Sequence, residues 1–324
     1  MTRRRWLALL AVLALMPASG SLLAQAWPER PIRMIVTFPA GGGADWVGRA
    51  ISPGLSQALG QPVVIENRGG ANGAIGNEAV AHAAPDGYTL LLGAAGPLTI
   101  APHLYEKLQF DTFKDYVPVS LVASSPFVLV VNPGVPAKSV AELTALAKSS
   151  AGKLNFGSSG TGGAPHLAGE LYKTLAGAPI VHVPYKGLAP AITDLLAGNI
   201  QILFADVGLV VPHVRAGTLR ALAVTSAERT GALAEVPTMI EAGVGGYTAG
   251  SWYGVLAPAG TPAAIVARVN AELARILATP EIRAQFEKQG LSTVGGPAAA
   301  FSKVMRDDYD KWGRLIRAGG IKPE

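Results

Sequence analysis

Two stretches of the chain combine glycines with the start of a helix: Pro39-Ala40-Gly41-Gly42-Gly43-Ala44-Asp45 and Gly157-Ser158-Ser159-Gly160-Thr161-Gly162-Gly163-Ala164-Pro165-His166. Consecutive glycines cost conformational entropy, and what they allow is a close approach of backbone N–H groups to whatever faces them. A helix N-terminus carries unpaired amides and about half a positive charge, so it holds an anion without any basic side chain. Phe38 and Phe156 deliver these loops at the carboxyl ends of apolar runs, where open α/β lobes bind their ligands. Facing each other across a cleft, the two loops would hold a molecule with anionic ends. The hydroxyls of Ser158, Ser159 and Thr161 add donors.

Other chemistries fit these residues less well. Asp45 reads as a helix cap paired with Arg49 one turn on, or else as a carboxylate that orients a loop amide or a water against the ligand. Gly41-x-Gly43 lacks the third glycine of a dinucleotide fingerprint, and neither loop carries the Gly-Lys-Ser/Thr of a phosphate loop. The Gly157-Ser158-Ser159-Gly160-Thr161 segment resembles a nucleophile elbow but ends in Thr. Ser150 and Lys153 match Ser-x-x-Lys only at the level of chance, and no His precedes the triple glycine as in an esterase oxyanion loop. His82, His103, His166, His182 and His213 stand singly, with no i, i+4 pair, so no metal site is expected. His166, at the start of the second helix, is the one placed near the cleft, where as a general base it lacks an evident nucleophile.

The elements that must carry these loops alternate between strand and helix. IRMIVTF, VVIEN, YTLLLG, KLNFG, IVHVPY, QILFA and RALAVTS are short apolar runs separated by helical patterns, which indicates parallel sheet covered on both faces. Two longer extended runs, Val117 to Pro133 with a Ser-Ser-Pro break and Gly250 to Pro258, read as paired crossovers between lobes. The expected organisation is lobe one at 27–125 plus 252–324 and lobe two at 126–251. A single large sheet is the alternative.

At the amino end, Arg3 to Arg5, the apolar Trp6 to Met16 and Ala24-Gln25-Ala26 make a cleavable secretory leader, residues 1–26, too short in its apolar part to span a membrane. Removing its three arginines leaves 24 Lys and Arg against 22 acids, so the mature chain is nearly neutral and no nucleic-acid surface is implied. With no cysteine, thiol catalysis, thiolate metal sites and a lipidated cysteine are excluded. Free existence in an oxidising compartment, a bacterial periplasm, follows.

RPIRMIVTFPAGGGADWVGR, VVIENRGGANGAIG, APDGYTLLLG, LNFGSSGTGGAPHLAGE, VHVPYKG, AGTLRALAVTS followed by VPTMIEAG, and LAPAGTP cover nearly all of the mature chain in order. In these segments the chain resembles the Bug-type extracytoplasmic solute receptors, the substrate-binding components of tripartite tricarboxylate transporters. The resemblance implies a two-lobe, type II-like periplasmic binding protein, each lobe an α/β sheet covered by helices. Such a receptor closes on a small organic carboxylate, needs no cofactor, and hands its cargo to a membrane permease as a monomer.

It also implies that Phe38, Ala40, Gly41, Gly42, Gly43 and Asp45 face Ser158, Ser159, Gly160, Thr161 and Gly162 across the ligand, partly through ordered water. Tyr185 and Lys186 of the Pro184–Gly187 turn and the segment around Asp206 complete the pocket. Members often carry a polar residue where this chain has Gly93-Ala94-Ala95-Gly96, and Ser or Ala where it has Leu188. The more apolar rim points to a bulkier carboxylate, aromatic or dicarboxylate, with Trp46 and Trp252 either lining it or serving packing. Asp206 would favour a ligand bearing an amine, or else caps the helix after QILFA. A secreted α/β hydrolase using Ser158 or Ser159, and a receptor serving a sensor rather than a permease, remain the alternatives.

Overall fold

The computed structural model describes residues 27–150 and 152–322; the expected leader, 1–26, lies outside the described residues. The chain runs β1 (Ile32–Val36), α1 (Gly43–Leu59), β2 (Val63–Asn67), α2 (Ala74–Ala81), β3 (Thr89–Ala94), the short α3 (Ala101–Leu104), and then β4 (Tyr116–Val131). It continues with α4 (Val140–Ser149), β5 (Asn155–Ser158), α5 (Ala164–Ala176), β6 (Val181–Pro184), α6 (Leu188–Ala197), β7 (Ile202–Asp206), α7 (Val207–Arg215) and β8 (Arg220–Val224). The last part is β9 (Gly250–Pro258), α8 (Ala263–Ala278), α9 (Pro280–Lys288), β10 (Ser292–Thr293) and α10 (Ala298–Gly319).

The strands follow the order β2-β1-β3-β9-β4-β7-β5-β6, with β8 and β10 also pairing β4. Within each half the central strands are parallel, β1 with β2 and β3, and β5 with β6 and β7. Apolar runs buried on both faces produce this arrangement. β4 and β9 are the exceptions, both antiparallel to their neighbours.

β4 joins the halves. From Tyr116 to Pro126 it pairs β9, and from Phe127 to Val131 it pairs β7 and β8. The Ser124-Ser125-Pro126 segment does not interrupt the strand. Pro126, which has no N–H to give a ladder, opposes the first residue of β9 at the point where partners change. Register shifts between Pro118 and Ser120 and between Leu121 and Ala123 add twist upstream of that point.

Each half encloses its own apolar clusters. Val36, Val47, Ile51, Leu92 and Val255 pack between β1, α1, β3 and β9, while Phe156, Leu167, Tyr172, Phe204 and Tyr247 pack under α5. α10 belongs to both, with Phe301 and Met305 against the first half and Trp312, Leu315 and Ile316 against the second.

α5 lies close on β5 because Gly169 faces the Phe156 ring, which a Cβ at that position would strike. Gly169→Ala is expected to lose about 1–3 kcal/mol of stability, as overpacking does, measured as a lower urea midpoint with an unchanged slope.

Candidate functional site

The first glycine loop links β1 to α1. Gly41 adopts φ +85°, which an L side chain resists, and Gly42 takes the N-cap position with no side-chain cap. The first intrahelical bond runs from Trp46 N–H to Gly42 O at 2.9 Å. The amides of Gly43, Ala44 and Asp45 are therefore the orphan donors of the helix end. Gly43 is glycine for a steric reason, since a Cβ there would lie 2.7 Å from the Tyr253 hydroxyl.

Asp45 fastens the loop from behind. It is buried, accepts the Gly41 N–H at 2.9 Å, and takes the Arg49 Nε at 2.9 and 3.0 Å. Arg49 reaches Asn67 Oδ1 at 3.2 Å, and Asn67 Nδ2 returns to Phe38 O at 3.1 Å. The Arg49 hydrogen bond lowers the Asp45 carboxyl to about 2, helped by the Gly41 amide and Asn67 against the opposing effect of burial. Asp45 is thus neither the N-cap itself nor a wall of the cavity.

The second loop, between β5 and α5, is held without charge. The Ser158 hydroxyl is buried, donates to Gly160 O and accepts the Gly160 N–H, both at 3.1 Å, and lies 2.6 Å from His182 Nε2. Gly162 N–H donates to His166 Nδ1 at 2.9 Å, and the His166 ring stacks on His182 with centroids 3.7 Å apart. Burial, then the neighbouring His182 and Lys173, push His166 down to about 3, so it stays a neutral acceptor. Gly163 caps α5 with no side chain, and Leu167 N–H to Gly163 O at 3.0 Å is the first intrahelical bond.

Both loops open on one cavity of about 630 Å³. Phe38 to Ala44 form one wall, Ser159 and Gly163 to Pro165 stand opposite, and Ala94, Gly96, Phe127, Leu188, Asp206, Ser251 and Tyr253 close the sides. A second compartment of about 290 Å³ shares Gly41, Gly42, Gly43, Asp206 and Tyr253 and extends to Trp46, Ser125 and Gln289. Among the described residues no Lys, Arg or His lines either compartment, and Asp206 is the acid common to both. A separate 420 Å³ groove at Thr230, Arg283 and Glu287 is lined by neither glycine loop.

Of the residues singled out in the sequence, Phe38, Ala40, Gly41, Gly42, Gly43, Ser159 and Asp206 meet on the cavity. Ser158, Gly160, Thr161, Gly162 and His166 do not line it; Ser158, Gly160, Gly162 and His166 are bonded within the loop behind Ser159. Tyr185 donates to Asp194 at 2.7 Å, Lys186 is exposed, and neither is on the wall. Asp206 occupies the N-cap position of α7 without making a cap bond, and accepts instead from Ser125 Oγ at 2.8 Å. A nucleophilic Ser158 does not fit a hydroxyl this deeply enclosed. Trp46 lines the smaller compartment, while Trp252 packs on Phe301 and donates to Asp308 at 2.8 Å.

Tyr253, Ser251, Phe127 and Pro165 were not identified from sequence. Period-two alternation in GSWYGVLAP puts Ser251 and Tyr253 on the face opposite Trp252, and that signal was available. The His166–His182 stack joins residues from a helix and an edge strand, and no local spacing reveals it.

Residues 47–321 match the model of the tripartite tricarboxylate transporter family receptor. This chain belongs to that family. It is 37% identical over 319 residues to Protein BugT of Bordetella pertussis, covering 97% of this chain and 98% of BugT. The R. palustris protein Rpa4515, solved with adipate, superposes with a TM-score of 0.80 at 35% identity over 92% of this chain and 100% of its own. MatC from Rhodopseudomonas palustris, solved with malate, gives 0.75 at 31% identity, over 90% and 100%. The fold is the two-lobe α/β architecture of periplasmic binding proteins, and the family consists of solute receptors. Among the described residues no helix is long and apolar enough to cross a membrane.

Two outcomes are expected of this receptor site. Gly43→Ala must displace the Tyr253 hydroxyl, and calorimetric titration with a bound carboxylate should show affinity reduced about tenfold, the lower range of an overpacking cost. Burial and its neighbours hold His166 down to about 3 in the folded protein against an ordinary 6.5 in the unfolded chain, so the unfolded chain binds the extra proton and stability is lost as pH falls below 6.5. Between pH 7 and pH 5 the unfolding free energy should drop by about 2 kcal/mol on this account, with a flatter dependence in His166→Gln, followed by urea titration at each pH.

Proposed function

We propose that this protein captures a small organic carboxylate between its two halves in the periplasm and delivers it to the permease of a tripartite tricarboxylate transporter. The observation that carries the reading is the pair of uncapped helix N-termini, α1 and α5, opening on one cavity that no basic side chain among the described residues lines. An anion bound there is held by oriented main-chain N–H groups and released without breaking an ion pair. Adipate on Rpa4515 and malate on MatC support the same class of cargo here. Phe127, Leu188, Ala94 and Pro165 give the cavity an apolar lining suited to a six-carbon chain or an aromatic ring. Residues 1–26 act as the export leader, and the receptor works as a monomer.

A melting screen with adipate, malate, benzoate and terephthalate tests this reading. A ligand at one hundred times its Kd should add about 2.7 kcal/mol to stability, and small-angle scattering should record a smaller radius of gyration as the halves close. Stabilisation by neutral sugars with none by any carboxylate would refute the assignment.

A further inference from the structure

Carboxylate capture leaves one cavity group unexplained. Asp206 ends β7 on the wall shared by both compartments. Among the described residues Ser125 Oγ, at 2.8 Å, is its one side-chain partner and its own backbone amide assists, while an ionised carboxylate accepts about four hydrogen bonds. Among the described residues no cationic side chain lines either compartment to offset it, and Tyr253 beside it is a phenol whose own ionisation burial and the Asp206 charge both oppose. The carboxyl is half-buried and desolvation opposes its charge, so a donor on an incoming ligand would favour the ionised form.

The helix ends around the cavity are also unequal. The N-cap positions of α1 and α5 are Gly42 and Gly163, which bring no charge, whereas that of α7 is Asp206. Two positive ends are open to a ligand anion, while at the third stands the Asp206 carboxyl, which burial holds above the usual carboxylate range and Ser125 draws back down. A solute with a second carboxylate near α7 would meet like charge with nothing to neutralise it.

We propose that Asp206, held by Ser125, is an acceptor subsite for a cationic or N–H-bearing end of the ligand, so that the preferred solute is an amino-carboxylate rather than a plain dicarboxylate. This rests on the carboxylate-receptor reading above and narrows it. The carboxylate of the solute sits against the α1 and α5 amides, its apolar middle lies along Phe127 and Leu188, and its ammonium reaches Asp206.

Matched ligands test the assignment by calorimetry on the mature protein. 6-Aminohexanoate and adipate share a six-carbon backbone, and 4-(aminomethyl)benzoate and terephthalate share a ring. The amino member of at least one pair should bind the wild type about tenfold more tightly, the size of one charge-assisted hydrogen bond. Asp206→Asn, which keeps the Ser125 contact and the shape, should bring the paired affinities together. Diacids that bind the wild type as tightly as their amino partners in both pairs overturn the proposal, and so does a preference that survives Asp206→Asn. Failure of all four ligands overturns it too; binding of benzoate or malate in that case leaves the carboxylate reading standing, and their failure removes both.

Discussion

Two helices begin at one cleft with no side chain over their first amides, and the rest of the site follows from that deficit. A helix end left uncapped is paid for in stability, since a Ser, Thr, Asp or Asn at the cap stabilises by about 1 kcal/mol. Here Gly42 and Gly163 hold those positions. The donors they leave open point at a shared space, and a bound anion completes both helices together. Affinity for charge is thereby obtained from backbone geometry alone.

Open donors are useful only if the loops that present them keep their shape, and the two halves achieve this by different means. The first loop is tied by charge, through Asp45, Arg49 and Asn67 back to the Phe38 carbonyl. The second is tied by neutral groups, with Ser158 and His166 each receiving a loop amide and the imidazole rings stacked behind. The charged tie weakens in strong acid and in salt, whereas the neutral tie loses stability already in milder acid, because the unfolded chain's imidazole takes up the proton that the folded one refuses.

Much of this was legible in the residues. The strand runs, the glycine loops as helix starts and the two long extended runs depend on local pattern, and VVIEN and GSWYGVLAP coincide with β2 and β9 to the residue. α1 begins at Gly43 rather than near Asp45, because glycine can enter the first helical turn while the carboxylate reaches backward to Gly41. What pattern could not supply was which side of a loop faces the ligand. Ser158 and Ser159 are adjacent and chemically alike, yet one is sealed inside the turn and the other stands on the cavity. The distinction depends on His182, 24 positions further on.

The continuity of β4 has a mechanical consequence. Because a single unbroken strand serves both halves, and β9 is zipped to it as far as Pro126, the halves are linked by a stiff twisted ribbon instead of loose tethers. α10, rooted in both cores, braces the same junction. Any relative movement of the halves has to twist that ribbon, because neither crossing offers a loose hinge at the change of partners.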